Sequence, residues 1–270
     1  MELWVPSFSI DTGLLLQGVN AAARPGDLQD FIVPHQLIGP STSGDDFLID
    51  ALVGGSFELM APSLLDTPGG FRPFVRAGLG ATFGPKHDVA KKGAPGPFGL
   101  PQGSFGSIQE SSIVGQGSKT SVRYLTLAPS AAAGVAFTLN YGDRTLRIKP
   151  SIEYLWQEVS LHGATTRAVA LNANGNGQSL ADFRLLTLAT STNEGYHAIG
   201  PGLEIELDAA RSDSVMLTLY IGAQFYALLG NLQSNLSAVN SLGERADWEV
   251  DLKRWRSRAS VGLRFRWLAE

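Results

Sequence analysis

Glu158, Ser160 and His162 occupy positions i, i+2 and i+4 of a segment that alternates apolar and polar residues. On a strand, residues two apart point to the same side. A hydroxyl, an imidazole and a carboxylate would therefore share one face, the minimal set for a nucleophile, its base and an orienting acid. The same residue types also suit a strand leaving an apolar layer for water, and both readings stand. A second group is larger. Glu58, Arg76, Arg147, Lys149, Glu153, Glu204, Glu206, Arg264 and Arg266 fall on the faces opposite rows of Leu, Ile, Val and Phe. Neighbouring strands would set Glu58 beside Arg76, and Arg147 and Lys149 beside Glu204 and Glu206, with Arg264 and Arg266 at the same level. Ionic side chains inside a protein are costly unless paired. The group therefore implies either a plug of ion pairs or a narrow charged passage. His35, His87 and His197 share no metal-ligand spacing, and no glycine-rich phosphate loop joins a strand to a helix. No metal or cofactor is expected.

Composition narrows what could carry these residues. Of 270 residues, 44% are hydrophobic and 17% charged, against roughly 25% charged in an average soluble domain. Part of the surface is therefore expected to face something other than water. The net charge of −4 gives no electrostatic footprint for nucleic acid. There is no cysteine, which excludes disulfides and thiolate metal sites. The 31 glycines and 14 prolines disfavour long helices. Val215–Gly230 is the most apolar stretch, but it is shorter than the ~20 residues of a spanning helix, and Thr218, Gly222 and Gln224 interrupt it. The N-terminus lacks the order of a secretory leader, so export would require one to have been removed.

The elements follow from period-two alternation, the mark of a strand with one apolar face. Eight segments show it: Trp4–Gly18, Phe47–Met60, Phe71–Phe83, Val122–Asn140, Arg144–Leu161, Tyr196–Ala209, Val215–Gly230 and the C-terminal Val261–Trp267. In the last, Val261, Leu263, Phe265 and Trp267 alternate with Gly262, Arg264 and Arg266. Short connections (Ala61–Gly70, Tyr141–Asp143, Ala210–Asp213) alternate with long ones at about 21–45, 84–119, 162–195 and 231–247. Trp4, Phe71, Phe137, Tyr141, Phe265 and Trp267 fall near one end of the strands. Phe47, Phe83, Trp156 and Trp255 fall near the other. Short turns at one rim, long loops at the other and two aromatic girdles belong to outer-membrane barrels. Phe183–Ala189 also alternates, and either lengthens a hairpin or raises the count to ten strands.

In pattern and loop order, residues 1–270 resemble the small eight-stranded outer-membrane barrels of the OmpA/OmpX type. That resemblance implies a single all-β domain: an up-and-down antiparallel transmembrane β-barrel of eight strands, with four long extracellular loops and three short periplasmic turns, in the bacterial outer membrane. Its partners would be outer-membrane lipid and lipopolysaccharide, with 84–119 and 162–195 as candidate surfaces for an extracellular ligand. Such barrels usually end in an aromatic residue, whereas here Trp267 is followed by Leu268-Ala269-Glu270. The expected function is structural, adhesive through the loops, or that of a narrow channel. Glu158, Ser160 and His162 look like the rim of the lipid A deacylase barrels, in the order Ser-x-His in place of His-x-Ser, and imply a lipid A-modifying hydrolase as the alternative. A soluble, lipocalin-like carrier is the third reading and requires the apolar faces to point inward.

Overall fold

The computed structural model describes residues 4–25, 42–64, 70–93, 117–124, 127–142, 144–170, 183–239 and 245–268. These form eleven strands: β1 Val5–Pro25, β2 Thr42–Met60, β3 Phe71–Phe83, β4 His87–Gly93, β5 Gly117–Tyr124, β6 Leu127–Tyr141, β7 Arg144–Ala170, β8 Phe183–Arg211, β9 Val215–Leu229, β10 Gln233–Val239 and β11 Arg245–Trp267. All pairings are antiparallel. Eight strands close on themselves in the order β1-β2-β3-β6-β7-β8-β9-β11, with β11 returning to β1. Closure removes the unpaired edges that an open sheet would present. The end carrying Val5 and Trp267 is called lower below, and the opposite end upper.

Several connections differ from the sequence reading because strand continues beyond the apolar segments. The 162–195 stretch contains the upper halves of β7 and β8, paired rung by rung from Leu146–Leu207 to Ala170–Phe183. Phe183–Ala189 thus lengthens that hairpin and adds no strand to the ring. The 84–119 stretch holds β4 and the start of β5, which pair with each other and, through β5, with the upper part of β7. The 231–247 stretch holds β10, paired with β11. Val122–Asn140 is divided between β5 and β6, and both parts lie along β7; Leu125 and Thr126 lie outside the described residues. At the lower end, Gly142 takes φ of 60° in the β6–β7 turn, a conformation open to glycine at little steric cost.

The two walls of the ring exchange polarity along its height. In the lower part the outer wall is apolar: Ile10, Val53, Leu79, Ile152, Ile221 and Val261 are all exposed. The interior there is ionic. Above the level of Phe47, Phe83, Trp156 and Trp255 the order reverses. Leu15, Leu48, Val122, Val159, Leu161, Trp248, Val250 and Leu252 fill the interior as one cluster. The outer positions become Asp45, Glu158, Ser160, Asn193, Asn235, Asp247 and Asp251. The expectation of a polar interior therefore holds only for the lower part. The upper part is built like a water-soluble sheet protein, with a dry core and a polar surface.

Glycine sets the packing of that upper core at one point. A Cβ on Gly163 would lie 2.3 Å from Trp248 Cδ2, so the indole occupies the space a side chain would need. Gly163→Val should lower the opening free energy of amides 245–252 in hydrogen exchange by ~1–3 kcal/mol, the usual effect of overpacking. Protection of the lower strands should not change. Unaltered protection at 245–252 would show that this contact does not hold the upper part together.

Candidate functional site

The interior of the lower ring is the most chemically organised region. β2, β3, β7, β8, β9 and β11 each present every second residue inward, and their registers stack acids beside bases: Glu58 opposite Arg76, Arg147 opposite Glu206, Lys149 opposite Glu204. The contacts then cross the ring. Lys149 Nζ donates to both carboxylate oxygens of Glu58 at 2.6 Å and to Glu206 Oε1 at 2.9 Å. Arg76 donates to Glu204 Oε2 at 2.7 Å and to Glu153 Oε2 at 3.1 Å. Arg264 Nη1 donates to Glu204 Oε1 at 2.5 Å and also contacts Glu206, to which Arg266 donates at 2.8 Å. The guanidinium of Arg147 spans both oxygens of Asp208, at 2.5 and 2.9 Å.

Next comes a second tier. Arg258 donates to Asp11 Oδ2 at 2.6 Å and to Glu153 Oε1 at 3.3 Å, and the Tyr226 hydroxyl reaches the same Glu153 oxygen at 2.5 Å. The six cations Arg76, Arg147, Lys149, Arg258, Arg264 and Arg266 thus meet the six carboxylates Asp11, Glu58, Glu153, Glu204, Glu206 and Asp208. Lys149 and Arg264 also lie over the rings of Phe74 and Tyr220, at 4.3 and 4.8 Å. The top of this zone is Arg256, which donates to Gln17 and Gln157 at 2.9 Å each and lies 4.7 Å over Tyr124. The dry core begins directly above. Between the tiers is a cavity of about 30 Å³, room for about two water molecules. Gly54, Gly78 and Gly80 leave it open on one side, and Gln224, whose Oε1 has no protein partner, lines it.

All nine residues named from the sequence for this network lie in the interior, all buried or nearly so, with Arg76 and Arg147 the most accessible at about 10% of the side chain. Glu58 and Arg76 are neighbours in register yet each pairs elsewhere, because long side chains reach across the ring. Asp11, Asp208, Arg258, Tyr226 and the Arg256–Gln17–Gln157 layer are additions. Asp208 continues the inward phase of Glu204 and Glu206, and a bulge against β9 follows it between Asp208 and Ala210. Arg254, in phase with Arg256 and Arg258 in the sequence, is exposed instead. Residues 253–255 bulge outward opposite Gly18, and Gln17 Nε2 donates to the carbonyls of Lys253 at 2.5 Å and Trp255 at 3.3 Å.

Glu158, Ser160 and His162 lie side by side on the outer wall of β7, just above the apolar belt. Among the described residues no hydrogen bond joins them. Ser160 is opposite Arg123 and Asn193, and His162 opposite Ser121 and Ser191. Partial burial first, then the nearby ammonium groups of Lys86 and Lys119, lower the His162 pKa below its ordinary value, while Asp88 opposes the shift. His35 lies outside the described residues, His87 approaches Asp50 at 3.3 Å, and His197 Nδ1 meets the Tyr154 hydroxyl at 2.6 Å on the outer wall.

No family model and no curated protein matches this chain. Among solved structures, it is similar to the outer membrane protease OmpT from Escherichia coli, at 8% identity and a TM-score of 0.24 over 96% of each chain. It is also similar to a Pseudomonas aeruginosa FadL homologue, at 10% identity and a TM-score of 0.21 over 98% of this chain and 90% of that one. At these TM-scores neither likeness bears on function.

Two measurements test the electrostatics. Lys149→Met leaves the Glu58 and Glu206 carboxylates facing each other without their shared cation. Urea titration of the detergent-solubilised chain should show a loss of ~3–5 kcal/mol, the usual result of stripping one partner from a buried ionic group. A loss below 1 kcal/mol, within the range of exposed pairs, would mean that the network is hydrated and weak. For His162, an NMR titration should give a midpoint below the ordinary 6.5. Lys119→Gln removes a repelling charge, which favours the imidazolium, so the midpoint should rise.

Proposed function

We propose that this chain is an integral outer-membrane β-barrel whose lumen is closed, and that it acts through the rigid sheet it raises above the outer leaflet. The observation that carries this reading is the exchange of polarity between the two walls. Among the described residues, no Asp, Glu, Lys or Arg points outward in the band between the Trp267–Phe137 level and the Trp255–Phe83 level. Only a non-aqueous surrounding favours such a band while ionic side chains are sealed inside. Its height fits. Trp255 to Trp267 on β11 is about 40 Å of strand at ~3.3 Å per residue, or about 28 Å across at a tilt of ~45°, close to the ~30 Å of bilayer hydrocarbon.

The aromatic residues agree with this placement. Trp4, Phe137 and Trp267 ring the lower margin and Phe47, Phe83 and Trp255 the upper, all exposed, where amphipathic rings favour the headgroup level. Trp255 stacks on Phe225 with centroids 5.1 Å apart. A soluble carrier would need the reverse arrangement in the lower ring, with apolar side chains inside. Closure follows from the size of an eight-stranded ring, just wide enough for side chains to fill, and here they fill it twice. The ionic tiers occupy the lower lumen and the Leu, Val and Trp cluster the upper.

Two experiments test the proposal together. After folding into phosphatidylcholine vesicles, brominated acyl chains should quench single-tryptophan variants retaining Trp255 or Trp267, and spare the one retaining Trp248. Equal quenching of all three would sink the membrane placement. In planar bilayers the intact chain should show no steady conductance, and sustained openings would mean that the ionic tiers are a passage.

A further inference from the structure

On the outer wall, where β4 and β5 lie beside β7, four basic side chains gather immediately above the apolar belt. Lys86 follows β3 by three residues. Lys119 and Arg123 project from β5, and His162 from β7. The register that pairs His87 with Val122 carries Lys86 toward Arg123, and Arg123 is opposite Ser160. Lys86, Lys119 and His162 are close enough for their charges to act on one another. Glu158 flanks Ser160 on the same wall, and the acid facing the lysines is Asp88. It accepts from Ser121 Oγ at 2.7 Å and lies 3.9 Å from both Lys91 and Lys119. Among the described residues, neither Lys86 nor Arg123 has a carboxylate partner. Immediately below are the exposed Phe83 and Leu127, with Trp156 beside them.

Like charges held together without enough counter-charge are unfavourable in the free protein. Two arginines elsewhere on the upper outer wall are neutralised: Arg24 meets Glu249 at 3.3 Å and Arg245 meets Asp247 at 2.9 Å. The cluster gathers more basic groups than the exposed Lys253–Arg254 pair, and it sits directly over a lipid-compatible wall.

We infer that Lys86, Lys119, Arg123 and Ser160, with His162 beside them, bind the phosphate groups of a multiply acylated, phosphorylated glycolipid of the outer leaflet, whose acyl chains lie along Phe83, Leu127 and Trp156. The inference rests on the membrane placement proposed above. Guanidinium and ammonium groups suit phosphate as paired donors and as point charges respectively. The apolar wall beneath supplies the contact that a free anion could not use. The Ser160 hydroxyl and the imidazole thereby acquire a part as hydrogen-bonding groups at an anion site, with no bond made or broken.

The test uses the full chain folded in detergent micelles and native mass spectrometry with three probes: bis-phosphorylated lipid A, the same lipid with its phosphates removed, and inorganic phosphate. The wild type should retain the phosphorylated lipid at least ten-fold more tightly than the dephosphorylated one. Inorganic phosphate at millimolar concentration should not displace it. The triple variant K86E/K119E/R123E should lose at least about a hundred-fold in affinity, since each surface cation contributes on the order of five-fold to anionic-lipid binding and each glutamate adds repulsion. The variant R24E/R245E, which alters the same number of upper-wall charges less one, should bind as the wild type does. Insertion of every variant into phosphatidylcholine vesicles is scored in parallel. Failure of the wild type to insert overturns the membrane placement and this site with it. Normal insertion with equal retention of both lipids, or undiminished binding by the triple variant, overturns the site alone. Displacement by inorganic phosphate would assign the cluster to a free anion and also overturn it.

Discussion

Charge pairing across the lumen is the constraint on which the lower ring depends. An ammonium or carboxylate out of water is tolerated only with partners on several sides, and Lys149 shows the requirement met. Its Nζ touches Glu58 from β2 and Glu206 from β8, and its own strand is β7. Arg264 on β11 reaches β8, and Arg76 on β3 reaches both β7 and β8. Apart from Lys149–Glu206, which joins the paired β7 and β8, each of these contacts is also a strut between strands that are not neighbours. Ring closure by backbone hydrogen bonds and cross-bracing by ion pairs are therefore separate systems. The second fixes the shape of the first, because a ring of paired strands alone could flatten without breaking a rung.

The upper ring solves the same filling problem with different material. Where the outer wall turns polar, the interior turns apolar, and the Arg256–Gln17–Gln157 layer is the seam between the two regimes. Gln17 serves both sides of it. Its carbonyl oxygen accepts from Arg256 inside the lumen, and its amide holds the backbone of the 253–255 bulge that pushes Arg254 outward. One buried amide thus ends the ionic zone and re-aims the side chains at the rim.

Much of this is legible in the sequence, for a physical reason. Where one wall is hydrocarbon-seeking and the other ionic, alternation is sharp, as in Val261–Trp267 with its two inward arginines. The belt and the nine interior charged residues are read from that contrast. The upper zone is harder. Leu15, Val19 and Leu48 face inward among apolar or small neighbours, so the period fades, and β4, β5 and β10 are short strands inside segments rich in glycine and serine. Pairing partners are not legible at all. Which acid Arg76 meets depends on cross-ring reach, and Arg254 is displaced by a bulge that shifts the phase by an amount no residue type announces.

The uninterrupted β7–β8 ribbon has a consequence for reach. From Trp156 to Ala170 it continues for about 45 Å at ~3.3 Å per residue, with no break in register. Its base is anchored in the ring and its lower flank is buttressed by β5. The ribbon works as a stand-off. Continuous pairing holds the Ala170–Phe183 rung at a set distance from the ring, which an unpaired chain of the same length could not do.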